Sequence, residues 1–124
     1  MIIGIGIDLV EIERIKNIWQ RYGFKFAQRI LHASELSCLP QGNPVLFLAG
    51  RFAAKEALSK ALGTGFYNQI RFNDFAVTRL PSGQPQATLY GAALTAMQNC
   101  GGKHAFVSIT HSQLTAAAVA VLEA

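Results

Sequence analysis

VLFLAGRFAAKEALSKAL, residues 45–62, is the stretch whose reading decides the fold. Alanine and leucine dominate it and Gly63 follows as a stop, so it predicts one long helix. At 100° per residue its apolar and small residues surround the axis on every side, the pattern of a helix buried in a core. Yet it carries Arg51, Lys55, Glu56 and Lys60. Glu56 and Lys60 stand four apart in the favourable order for an ion pair; Arg51 and Lys55 stand four apart on a different side. Buried charge without a partner is costly, so each of these groups is expected to meet a partner or a ligand. Three cations against one carboxylate suit a polyanion together with a metal ion. Two solvated edges with one routine salt bridge are the plainer alternative.

Working outward towards the N-terminus, residues 2–9 of IIGIGIDLVEI alternate with period two and predict a strand. Ile3, Ile5 and Ile7 share one face; Gly4, Gly6 and Asp8 share the other. Glycines inside a strand mark close approach of a ligand or of another backbone. The functional reading is a carboxylate facing a cavity that the glycines leave open; the plain one is an Asp capping the next turn. Ile12, Ile15, Trp19, Tyr22 and Phe26 are then spaced as on one helical stripe, with Gly23 leaving open one helix or two. Arg14, Arg21 and Lys25 fall on the opposite face, either ordinary solvated charge or a docking patch for an acidic partner. HASEL offers Ser34 as the cap of a short helical turn, and LPQGNP at 39–44 reads as a loop.

Towards the C-terminus, residues 70–78 and 86–90 predict strands around the turn LPSGQP. GAALTAMQNCGG predicts a helix ending at a glycine pair, and HAFVSITHS with LTAAAVAVLE predicts a closing hairpin. Strands and helices mix without regular βαβ alternation. The expected fold class is therefore α+β, with a mostly antiparallel sheet packed on the long buried helix. Alternation puts His111 on the same face as Val107 and Ile109, with Ser108 and Thr110 on the other.

Composition bounds the function. The chain has 124 residues, suited to one domain spanning 1–124. It is 51% hydrophobic and only 15% charged, so part of the surface is expected to be covered by a partner or by further copies. A formal net charge of +4 favours anionic partners: nucleic acid, phosphorylated ligands or an acidic protein. The two cysteines, Cys38 and Cys100, show no metal-binding spacing. No apolar run is long enough to span a bilayer and no signal-peptide pattern opens the chain, so a cytoplasmic protein is expected. Asp8 and Glu56 together supply hard oxygen donors of the kind that hold Mg²⁺ with substrate phosphates.

GIGIDLVEIERI, RFAAKEALSKALGTG and SITHS, in this order and across essentially the whole chain, resemble the holo-acyl-carrier-protein synthase family, the short bacterial type of 4′-phosphopantetheinyl transferase. The resemblance implies transfer of phosphopantetheine from coenzyme A to a serine of apo acyl carrier protein, in support of fatty acid biosynthesis. The other product is adenosine 3′,5′-bisphosphate. By the same resemblance Asp8 and Glu56 bind Mg²⁺ and are catalytic, with Lys60 near the pyrophosphate. Arg51 lies near a coenzyme A phosphate, Gly63 and Gly65 form the turn beside the nucleotide, and His111 lies at the coenzyme A site. The turn Ser82, Gly83 and Pro85 contacts coenzyme A across a subunit boundary, while Arg14, Arg21 and Lys25 receive the acidic carrier protein. A homotrimer with sites between subunits is implied, with no nucleic-acid or membrane partner. Two departures stand out: Thr110 where the last motif more often has serine, and Gln84 where the turn commonly has Lys or Arg. The acceptor of the serine proton is open between Glu56 and a metal-bound water. The rival readings are a metal-dependent phosphohydrolase using the same two acids, a basic nucleic-acid-binding domain, and a purely structural oligomer.

Overall fold

The structure is a computed structural model that describes residues 1–124. Strand β1 (Ile2–Glu11) runs directly into α1 (Ile12–Tyr22). Gly23, at φ 56°, ends that helix, and α2 (Phe24–Ile30) starts in a new direction. Of the two possibilities open at Gly23, the chain takes the pair of short helices. A short turn α3 (Ala33–Leu36) follows. Its cap is His32 rather than Ser34: the His32 ring accepts from the Ser34 N–H, and Glu35 accepts from the His32 N–H at 2.8 Å. The long helix α4 (Val45–Ala61) is where the sequence predicts it, with Gly63 at φ 78° just beyond.

A 3-10 turn at Phe72–Asp74 leads to β2 (Phe75–Arg79) and β3 (Pro85–Leu89). The strand expected from residue 70 therefore starts five residues late, because Asp74 accepts the Arg71 N–H at 3.0 Å and winds the backbone into a turn. Helix α5 (Gly91–Asn99) and the hairpin of β4 (His104–His111) and β5 (Thr115–Glu123) complete the chain. All pairing is antiparallel, but there are two sheets, β1-β5-β4 and β2-β3, where one was expected.

The α4–sheet contact positions everything else. The inner face of β5 carries Ala116, Ala118, Ala120 and Leu122, all buried, and in register beside them β1 places Gly6 against Ala120 and Asp8 against Ala118. This floor of small side chains lets α4 lie close. A Cβ on Gly6 would sit 1.9 Å from the Ala57 carbonyl oxygen, and one on Gly4 2.0 Å from that of Ala61. The space above the two glycines is thus filled by helix backbone, which corrects the expectation of an open cavity there. Leu48, Ala49, Ala53, Ala54, Ala57 and Leu58 of α4 are fully buried, as periodicity predicts.

Candidate active site

Asp8 lies on the inner face of β1, two residues beyond Gly6, at the level of the C-terminal half of α4. Lys60 reaches across and donates to Asp8 Oδ1 at 3.0 Å and to the Ile7 carbonyl at 3.1 Å. The expected Glu56–Lys60 pair does not form, because the lysine turns to the strand instead. Glu56 is half-buried one turn earlier. Burial holds its carboxyl above the ordinary range, and the nearby Asp8 charge pushes the same way, while Lys60 and Arg14 pull it back. Asp8, Glu56 and Lys60 are therefore one electrostatic cluster, made by strand and helix together.

Arg14 belongs to it as well. Its guanidinium lies 5.4 Å from the centre of the Phe52 ring, against α4. Arg21 and Lys25, which share its helical phase, have other neighbours. Arg21 lies over Tyr22, and Lys25 lines a surface groove with Ile18, Tyr22, Phe26 and Arg29. The glycine turn is tied to the last turn of α4. Gly65, at φ 57°, donates its N–H to the Ser59 carbonyl at 3.1 Å, beside Lys60, and Gly63 donates to the Lys60 carbonyl at 2.9 Å. Left-handed φ at both positions favours glycine.

Arg51 and His111 meet in a second place, a cleft of about 340 Å³ between the start of α4 and the end of β4. Arg79, Asn43 and Phe47 line it too. The Arg51 guanidinium rests 4.1 Å from the Phe47 ring centre, and His111 is exposed at the rim. The turn with Ser82, Gly83 and Pro85 makes no hydrogen bond or ion pair to Asp8, Glu56 or Lys60. It is joined to the cleft instead: Arg79 donates to the Gly83 carbonyl at 2.7 Å, with Gly83 at φ 89°.

Sequence reasoning missed Glu35 and Arg79. Glu35 is fully buried and accepts from Lys55 Nζ at 2.5 Å, with Arg51 Nε 4.0 Å away. Lys55 also donates to the Ile30 carbonyl at 2.5 Å. Burial pushes the Lys55 ammonium down to about 8, although Glu35 holds it up, and burial likewise lowers Arg51. The one signal was the excess of cations on a buried helix, which demands an acid from elsewhere in the chain.

Two carboxylates beside a lysine, and a cationic cleft on the same helix, are an arrangement that can hold phosphate charge. The chain belongs to the 4′-phosphopantetheinyl transferase superfamily, whose model matches residues 4–120. It is 53% identical over 123 residues to a holo-(acyl-carrier-protein) synthase of Nitratidesulfovibrio vulgaris, covering 99% of both chains. Among solved structures it is similar to the holo-(acyl-carrier-protein) synthase of Neisseria meningitidis, with TM-score 0.90, 39% identity and 100% of both chains covered. It is also similar to that of Helicobacter pylori in complex with coenzyme A, with TM-score 0.84, 34% identity, and 96% and 99% of the chains covered.

Proposed function

We propose that this chain transfers the 4′-phosphopantetheine group of coenzyme A to a serine of apo acyl carrier protein. The observation that carries the reading is the Asp8–Glu56–Lys60 cluster, in a chain with full-length similarity to holo-(acyl-carrier-protein) synthases. The serine oxygen forms the new bond to phosphorus, and the bond to adenosine 3′,5′-bisphosphate breaks. Such a reaction needs in-line positioning and neutralisation of phosphate charge more than covalent help from the protein.

The donor set fits a magnesium ion. Asp8 and Glu56 are hard oxygen donors, with the Asp8 charge close enough to act on Glu56, and Mg²⁺ is typically held by one or two carboxylates plus substrate phosphates. When bound, the ion supplies positive charge at the pyrophosphate oxygens. Lys60, held by Asp8 and the Ile7 carbonyl, supplies a second, fixed positive charge. The proton leaving the serine goes to Glu56 or to water. Arg51 and His111, with the Ser82–Pro85 turn reached through Arg79, hold the nucleotide end, and Gly63 and Gly65 let the backbone approach it.

The carrier protein docks on α1 and α2, where Lys25 and Arg29 line a groove with Ile18, Tyr22 and Phe26, and Arg21 lies over Tyr22, a basic face that suits an acidic partner. The outer face of the three-stranded sheet supports assembly into a homotrimer. Ile5, Ile7 and Leu9 are 64%, 67% and 60% exposed there, with Phe106 and Val119 beside them, a patch that water disfavours. Fatty acid biosynthesis in the cytoplasm is the setting that follows, and no helix is long and apolar enough to cross a membrane.

The test is the intact mass of an apo acyl carrier protein incubated with this protein, coenzyme A and Mg²⁺, with and without EDTA. A gain of one phosphopantetheine group, abolished by EDTA, is expected. Cleavage of coenzyme A with no gain on the acceptor would turn the reading to a phosphohydrolase.

A further inference from the structure

Glu35 ties three pieces of the fold together, the α3 turn, α4 and β2. One carboxylate oxygen accepts from Lys55 Nζ at 2.5 Å and from the His32 N–H at 2.8 Å. The other accepts from the Val77 N–H at 3.0 Å and faces Arg51 Nε at 4.0 Å. All three charged side chains are buried. A buried ion pair is often no more stabilising than apolar residues of the same volume, so holding three such charges calls for a role beyond stability.

The knot is also unbalanced. Lys55 alone would neutralise Glu35, so Arg51 is a surplus cation. Its Nε is buried and makes no hydrogen bond, and its guanidinium lies at the cleft shared with Arg79 and His111. None of the residues lining that cleft is acidic. Glu35 thus stands 4.0 Å behind Arg51 Nε and Phe47 packs against one face of the guanidinium, while its other donors find no partner within the chain. A long side chain so restrained loses little freedom when an anion arrives.

We propose that Glu35 is a positioning residue: it presents the Arg51 guanidinium to the cleft and so sets the affinity for the phosphorylated end of coenzyme A. The inference rests on the reading above that Arg51 meets a coenzyme A phosphate. Glu35 itself touches no ligand and acts through Arg51.

A double-mutant cycle tests it, with coenzyme A binding followed by calorimetry in the full chain, the two KM values measured separately, and thermal unfolding alongside. Glu35→Gln is expected to weaken coenzyme A binding on the order of tenfold. In an Arg51→Ala background the same change should add less than about twofold, because the group it positions is gone. KM for coenzyme A should rise well above any change in KM for the carrier protein. Glu35→Gln leaves the Lys55 cation without its anion, so Glu35→Gln with Lys55→Met, an uncharged knot, is the second variant. It should fold and still bind coenzyme A weakly. Equal losses with and without Arg51, equal rises in both KM values, or wild-type affinity in the uncharged knot would each overturn the inference and leave the proposed function standing. Absence of coenzyme A binding by the wild-type chain would overturn both.

Discussion

At Asp8 and Glu56 two carboxylates are brought together that the chain keeps 48 positions apart. Removing either charge should act on chemistry and leave the fold intact. Asp8→Asn and Glu56→Gln are each expected to slow transfer about a hundredfold or more. Unfolding temperatures should stay within about 5 °C of wild type, since the Lys60 end of the Asp8–Lys60 pair is half exposed and the pair contributes little stability. The electrostatics of Glu56 make a separate prediction, best read by carbon-13 NMR titration of the metal-free protein. Arg14 favours the ionised carboxylate, so Arg14→Gln should move the Glu56 midpoint to higher pH. Asp8 disfavours it, so Asp8→Asn should move the midpoint lower. A midpoint indifferent to both changes would remove Arg14 from the site.

At the scale of elements, the fold turns on how closely α4 approaches the sheet. Replacing a strand glycine by alanine normally helps, because glycine loses more freedom on folding. Here the sign should reverse. Gly6→Ala places a Cβ against helix backbone that cannot move without shifting α4, and should cost about 1–3 kcal/mol in chemical denaturation. Gly50→Ala is the contrast. Its Cβ meets only the Ile109 Cγ2 methyl at 3.3 Å, and the gain in helix propensity offsets that contact, leaving stability near wild type. The sequence revealed that Gly4 and Gly6 mark a close approach, and named backbone as one of two causes. It did not reveal which, because a ligand and a helix make the same demand on a strand. The His32 cap escaped for a similar reason: Ser34 is the usual capping type, and only the local backbone shows which ring nitrogen is in reach.

For the whole molecule, two surfaces carry the association predictions. The outer sheet face is apolar where a solvated sheet would alternate to polar, so Ile7→Glu should shift sedimentation towards the monomer and lower transfer with it. The α1–α2 face is basic. Arg21→Glu with Lys25→Glu should raise KM for the carrier protein severalfold and leave KM for coenzyme A unchanged, and added salt should mimic the effect in wild type. Arg14 is left out of this pair because it stands over Phe52 beside Glu56, where a reversal would disturb both steps at once.

By itself the sequence determined what repeats along the chain or follows from residue type. The long buried helix came from composition and period, the strands from alternation, the ends of helices from glycine, and the need for anionic partners from charge. Its motifs pointed to Asp8, Glu56 and Lys60, which the structure brings into one cluster. The tertiary structure decided every question of distance across the chain. It turned Lys60 from Glu56 to Asp8, split the strands into two sheets, carried Arg14 into the site and closed the space over the glycines. It also placed Glu35 beneath Arg51. All but the division into two sheets depend on how closely α4 lies on its neighbours. That distance is set by many side chains packing at once, and no local pattern records it.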